Sequence, residues 1–253
     1  MWLISGVRPV NRIWKLAVLV LVLTGCGQSE PPGTSQPPAQ PLAVGGTLPV
    51  QQLHGESLAN PRSASWNQYA EHLLELSLAP PVHPSVNLRY EADTPPLPVY
   101  LQAASDGVRL YIRLRWLDDS ENQATTRSRF ADAAAVQFAL EGGAGTSFMM
   151  GAPNAPVNIW YWKAGSDQVE NLAAGGFGST TTLPTQELVV SADWRQDEWA
   201  LVFSRPLVAG EQHQVNLAEG PALFSVALWQ GESGHRDGLK HVSMGWISLG
   251  GGQ

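Results

Sequence analysis

The stretch Asp106-Gly107-Val108-Arg109-Leu110-Tyr111-Ile112-Arg113-Leu114-Arg115-Trp116 decides the fold class. Asp-Gly tolerates the positive φ of a tight hairpin, so the chain reverses here and runs straight into a strand. Side chains in a strand alternate between faces with a period of two. Val108, Leu110, Ile112, Leu114 and Trp116 therefore share one face, and Arg109, Tyr111, Arg113 and Arg115 the other. The pattern predicts a half-buried antiparallel strand with a basic outer face.

The same alternation recurs outward from this strand. Upstream, residues 73–78, 86–90 and 99–103 read as strands, with a short helix from Ser65 to Ala70 and a stop at Pro80-Pro81. Downstream, residues 134–140, 157–164, 188–193, 199–206, 224–230 and 242–249 alternate in the same way. Turns or Gly-rich loops separate them, and Gly175-Gly176-Phe177-Gly178 reads as one such surface loop. No long amphipathic helix intervenes and no internal repeat is visible. The prediction is an all-β protein: one antiparallel β-sandwich with a few short helices.

The amino terminus has a different logic. Arg8, Arg12 and Lys15 precede the apolar run from Leu16 to Leu23, which is too short to span a bilayer comfortably and has the layout of a secretory signal. It ends in Leu23-Thr24-Gly25-Cys26, which resembles the lipobox of bacterial lipoproteins. Residues 1–25 are thus expected to be a lipoprotein signal peptide, with Cys26 as the lipidated first residue of an exported protein. Gly27 stands where an aspartate commonly retains lipoproteins in the inner membrane, which favours the outer membrane, facing the periplasm. Residues 26–52, rich in Pro, Gly, Ser and Gln, read as a flexible tether. Residues 53–253 are left for the folded domain.

Cys26 is the only cysteine. There is no disulfide, no thiolate metal cluster and no Cys-x-x-Cys-His attachment for a covalent haem. A net charge of -7 with no basic stripe excludes nucleic acid as a partner. Gly-x-Ser-x-Gly, His-Glu-x-x-His and glycine-fingerprint motifs are all absent. Asp118, Asp119 and Glu121 follow a strand end and read as a solvated turn, with a carboxylate pair or calcium site as the alternative.

Two places carry more specific chemistry. Ser147-Phe148-Met149-Met150-Gly151-Ala152-Pro153-Asn154-Ala155-Pro156 joins adjacent thioethers to a loop that resists regular extension. A thioether is a soft ligand that suits haem iron or copper, although methionine also fills core gaps. The polar, glycine-rich run from Trp229 to Trp246 delivers Lys240 and His241 to the start of the last strand.

Four motifs, taken together, resemble one family. Trp116-Leu117-Asp118 is followed by Phe130-Ala131-Asp132-Ala133-Ala134-Ala135-Val136-Gln137-Phe138. Met150-Gly151 then precedes Val157-Asn158-Ile159-Trp160-Tyr161-Trp162-Lys163-Ala164, and Gly238-Leu239-Lys240-His241-Val242-Ser243 lies near the end. In order and spacing they resemble the haem b-binding gamma subunits of the ethylbenzene dehydrogenase and dimethylsulfide dehydrogenase type of molybdoenzymes. The resemblance implies a non-covalent haem b at one end of the sandwich, with Met150 and Lys240 as axial ligands. Met149 and His241 are the alternatives, Met244 is a weaker one, and Phe148, Trp160, Trp162 and Trp229 are candidates for pocket wall. It also implies a cytochrome subunit that is not itself an enzyme. Electrons would pass between the iron–sulfur subunit of a molybdenum oxidoreductase and a periplasmic cytochrome c or similar carrier. The lipobox, which sets this chain apart from the soluble periplasmic members of that family, would make the lipid anchor the sole membrane attachment. The alternative is a carbohydrate- or other ligand-binding β-sandwich lipoprotein without haem.

Overall fold

A computed structural model describes residues 37–54, 57–140, 143–166, 168–184 and 187–250. The expected signal peptide, Cys26 and the first part of the expected tether lie outside the described residues. The strands are β1 (Gln40–Leu42), β2 (Thr47–Gln52), β3 (His72–Leu78), β4 (Leu97–Ser105), β5 (Arg109–Leu117), β6 (Ala133–Ala139) and β7 (Val157–Lys163). They continue with β8 (Val169–Ala174), β9 (Thr181–Leu183), β10 (Val189–Arg195), β11 (Glu198–Pro206), β12 (Ala222–Trp229), β13 (His241–Val242) and β14 (Ile247–Gly250).

Two layers face one another. One runs β10-β11-β5-β4 and the other β12-β6-β7-β8-β9, with every neighbouring pair antiparallel. They join along one side, like a folded sheet. There β2 lies parallel to both β4 and β14, and β3 is antiparallel to both β4 and β13. Leu110, Ile112, Leu114 and Trp116 of β5 meet Ala134, Val136 and Phe138 of β6 and Trp160 and Trp162 of β7 in the shared core. Burying each such large side chain stabilises the fold by about 1.5–3 kcal/mol.

The Asp106-Gly107 hairpin forms as predicted. Gly107 has φ 85°, and the Asp106 carboxylate accepts hydrogen bonds from the Val108 and Arg109 N–H groups at 2.9 and 2.7 Å. Val108 belongs to this turn and is 73% exposed, so it does not share the core face.

The basic outer face of β5 is not solvated. Leu53, Leu58, Trp66 and Tyr69 fold over it and bury Tyr111. Arg113 lies beneath them, its guanidinium 5.5 Å from the Trp66 ring, donating to the Gln102 amide oxygen at 2.7 Å and the Pro61 carbonyl at 2.8 Å. Glu71 makes this burial tolerable. Its carboxylate accepts two-pronged bonds from Arg115 at 2.7 and 2.8 Å, and Glu198 takes the other side of Arg115 at 2.8 Å. An alternating sequence shows that the arginines share a face but not what distant segment covers it.

Three further expectations change. Residues 40–52 are not tether: β1 and β2 are strands, Leu42 and Leu48 are buried, and β2 sits within the sheet. The low-complexity composition masked a six-residue strand. Residues 86–90 are not a strand either. Pro84 opens a single helical turn, α1 (Pro84–Asn87), in which the His83 carbonyl accepts from the Val86 and Asn87 N–H groups. The last predicted strand splits into β13 and β14, because the Ser243 hydroxyl accepts from the Val226 N–H at 3.0 Å and donates to the Gly245 carbonyl at 3.2 Å, turning the chain between them.

Candidate cofactor-binding cleft

A cleft of about 760 Å³ lies on the outward face of the β12-β6-β7-β8 layer, whereas the resemblance implied a pocket at one end of the sandwich. Strand parity builds its floor. The core takes Ala134, Val136 and Phe138, so Ala133, Ala135 and Gln137 of β6 face out, beside Ile159 and Tyr161 of β7 and Ala227 and Trp229 of β12. The alanines leave the recess. Its size falls within the about 300–1,000 Å³ of typical cofactor sites.

The methionine loop forms one flank. Met150 and Gly151 both adopt positive φ, 66° and 73°. The Gly151 N–H donates to the Ser147 carbonyl at 2.9 Å, and the Met150 carbonyl accepts from Gly176 at 2.8 Å, which pins the turn beside the end of β8. Gln137 reaches up from the floor and donates to the Phe148 carbonyl at 2.9 Å. A left-handed methionine is costly backbone, of the kind that clusters at ligand sites. Phe148, Met149 and Met150 all line the cleft, so lining alone does not separate the two methionines. Met150 is the one packed against the apolar floor.

Lys240 comes from the opposite flank. Its carbonyl accepts from Ala79 at 2.8 Å, and β13 beyond it is held between β12 and β3. Its ammonium lies 4.6 Å from the Trp229 ring and forms no ion pair among the described residues. Desolvation pushes its pKa down to about 8, against a weaker opposing pull from Asp237. An amine that loses its proton so readily is a competent nitrogen ligand.

The other sequence-predicted residues scatter. His241 is buried on the far side of β13, in a smaller cavity of about 440 Å³, with Nε2 3.2 Å from the Pro95 carbonyl and its ring 5.2 Å from that of His235. Met244 is exposed and lies outside the cleft. Trp160 is 0% exposed and faces the sandwich core, 4.6 Å from Phe138, and Trp162 does the same against Trp199. Parity explains this: Ile159, Tyr161 and Lys163 hold the outward positions. Trp229 does line the cleft. Phe177, read as part of a surface loop, and Phe130, which opens one of the four motifs without being among the expected pocket-wall residues, also line it.

Of the turn expected to be solvated, Asp119 and Glu121 are exposed but Asp118 is buried. It is 4% exposed, and burial, then the nearby Asp132, pushes its carboxyl up to about 6. Asp132 accepts from the Gly231 N–H at 2.7 Å, the Asn122 N–H at 2.8 Å and the Trp199 indole at 3.0 Å, anchoring the loop that leads to Lys240. Among the described residues no three His, Cys, Asp or Glu side chains converge on one metal position. The cleft's nitrogen and sulfur donors are the thioethers of Met149 and Met150, the amines of Lys163 and Lys240 and the imidazoles of His83 and His235 around an apolar floor, a set that fits an apolar group carrying a soft metal.

Comparison with known proteins shows the family. The profile of the ethylbenzene dehydrogenase family matches residues 63–187. The dimethylsulfide dehydrogenase subunit gamma of Rhodovulum sulfidophilum is 42% identical over 195 residues, covering 74% of this chain and 73% of the relative. The chain belongs to the ethylbenzene dehydrogenase family. A further family relative, from Haloferax mediterranei, carries the provisional name respiratory nitrate reductase heme subunit; it is 30% identical over 227 residues, 89% of this chain and 77% of its own. The family fold extends beyond such relatives. A Bacteroides uniformis structure described as carbohydrate-binding superposes with TM-score 0.51 at 9% identity over 81% of this chain and 98% of its own, a likeness of fold alone.

Proposed function

We propose that this protein is a b-type cytochrome subunit of a molybdenum oxidoreductase, binding haem non-covalently in the cleft with Met150 and Lys240 as axial ligands. The observation that carries the reading is that these two side chains, far apart in sequence, line the same apolar cleft from opposite flanks. Family membership supports a haem, and the sole cysteine lies far outside the cleft sequence, which supports non-covalent binding. Bound haem supplies a one-electron iron couple, and a thioether ligand favours the reduced state. The chain's own part is to exclude water with Phe148, Phe177 and Trp229, hold the thioether in a strained turn and present a readily neutralised amine. It has no catalytic role by itself. Its place is between the iron–sulfur subunit and a periplasmic carrier such as a cytochrome c, with attachment to the outer membrane through lipidated Cys26.

The test is the visible spectrum of protein expressed without residues 1–25 and supplied with haem, oxidised and dithionite-reduced. Wild type should give a low-spin b-type spectrum, and Met150→Ala and Lys240→Ala should each turn it high-spin or abolish it. A wild-type protein with no Soret band would end the cytochrome reading.

A further inference from the structure

One pair of cations at the cleft takes no part in holding the iron. The Arg236 guanidinium lies 4.8 Å from the centre of the Phe130 ring, and that of Arg89 lies 5.8 Å from the same ring. Phe130 and Arg236 line the large cleft, and Arg89 lines the smaller cavity. Leu239 donates to the Arg236 carbonyl at 2.9 Å, closing a tight turn that sets the direction of the arginine. Both arginines are exposed at the rim. Arg236 has a long, exposed ion pair with Asp237 at 3.9 Å, and Arg89 has no ion pair among the described residues.

Two like charges beside one aromatic ring repel, and a structure that holds them there is complementary to an incoming anion. The guanidinium fork matches a carboxylate with two parallel hydrogen bonds. The acids that face this rim are Asp237 and Glu170 on the cleft and Glu91 on the smaller cavity, of which Asp237 reaches Arg236 only at 3.9 Å, and Lys163 at the same end of β7 adds positive charge. We infer that Arg236, supported by Arg89 across Phe130, binds the carboxylate groups of the ligand whose apolar body fills the cleft. This rests on the cytochrome reading, under which those carboxylates are the haem propionates.

The experiment compares titrations of the same protein with haem and with haem dimethyl ester, which has no carboxylates, followed by the Soret band. Wild type should bind haem roughly ten- to a hundred-fold more tightly than the ester. The Arg89→Gln/Arg236→Gln protein should lose that preference while binding the ester as wild type does, and Arg236→Lys should recover part of it. Unchanged thermal melting checks that the exposed substitutions leave the fold intact. A double variant that keeps the wild-type preference overturns the assignment, as does a wild type that binds both porphyrins equally; the second result leaves the haem reading standing. Wild type that binds neither porphyrin removes both.

Discussion

Lys240 and His241 are neighbours in sequence and leave the chain on opposite sides, the lysine ammonium 4.6 Å from the Trp229 ring in the large cleft and the histidine Nε2 3.2 Å from the Pro95 carbonyl in the small one. Imidazole is the better ligand on chemistry alone, but strand alternation directs it away from the cleft. His241→Gln should therefore keep the low-spin spectrum that Lys240→Gln loses. The reverse result, read by absorbance or electron paramagnetic resonance, would transfer the ligand role to His241.

The turn that sets Met150 depends on Gly151. A Cβ there would meet the Ala155 carbonyl oxygen at 2.8 Å and that of Ala174 at 3.0 Å, on a backbone with φ +73°. Gly151→Ala should cost about 1–3 kcal/mol of stability and weaken haem retention by displacing the thioether. Gly145→Ala, where a Cβ meets nothing within 4 Å, is the matched control and should change neither. Thermal melting and haem transfer to apomyoglobin measure the two effects.

On the other layer, Glu71 holds a buried charge network together. Arg113 is pushed down to about 10 by burial first and by Arg115 second, whereas Arg115 stays charged against the same desolvation because Glu71 and Glu198 flank it. Glu71→Gln leaves both guanidinium groups undercompensated and should cost about 3–5 kcal/mol, or on the order of 10 °C in melting temperature. A loss under about 1 kcal/mol would show that the network is screened like a surface pair.

Asp118 and His235 make stability depend on pH with opposite signs. The folded-state pKa of Asp118, about 6, lies above the roughly 3.9 of an unfolded carboxyl, so its protonation favours the folded state and stability falls as pH rises from about 4 to 6. His235 is pushed down to about 4 by burial first and His241 second, from an unfolded value near 6.5, so its contribution is complete above about 6.5 and is lost as pH falls towards 4. Asp118→Asn should melt higher than wild type at pH 7, by up to about 2–3 kcal/mol, with the gap closing near pH 4. His235→Gln should flatten the acid limb instead. Calorimetric melts of the three proteins from pH 4 to 8 separate the two contributions; parallel curves would refute them.

Much of the architecture was legible because a strand carries its environment in its parity. The β5 alternation, the Asp106-Gly107 turn and the runs that became β6, β7, β11 and β12 all needed only local information. Where parity was not enough, a distant segment was the cause. Arg113 and Arg115 look solvated until Trp66 and Glu71 are placed over them. Trp160 looks like pocket wall until the facing sheet claims it. Leu48 hides in a Pro- and Gly-rich segment whose strand exists only because β4 and β14 offer edges on both sides.

The amino-acid sequence by itself determined an all-β chain and the family that shares its motifs, and it offered Met150 or Met149 and Lys240 or His241 as candidate donors. Those depend on residue type and spacing, which the chain carries without folding. Only the tertiary structure decided that Met150 and Lys240 flank one cleft, that the cleft lies on the outward face of a layer floored by alanines, and that Lys240 enters it while His241 does not. These depend on which face of each strand the opposing sheet covers, and alternation separates the two faces of a strand without saying which distant segment covers either.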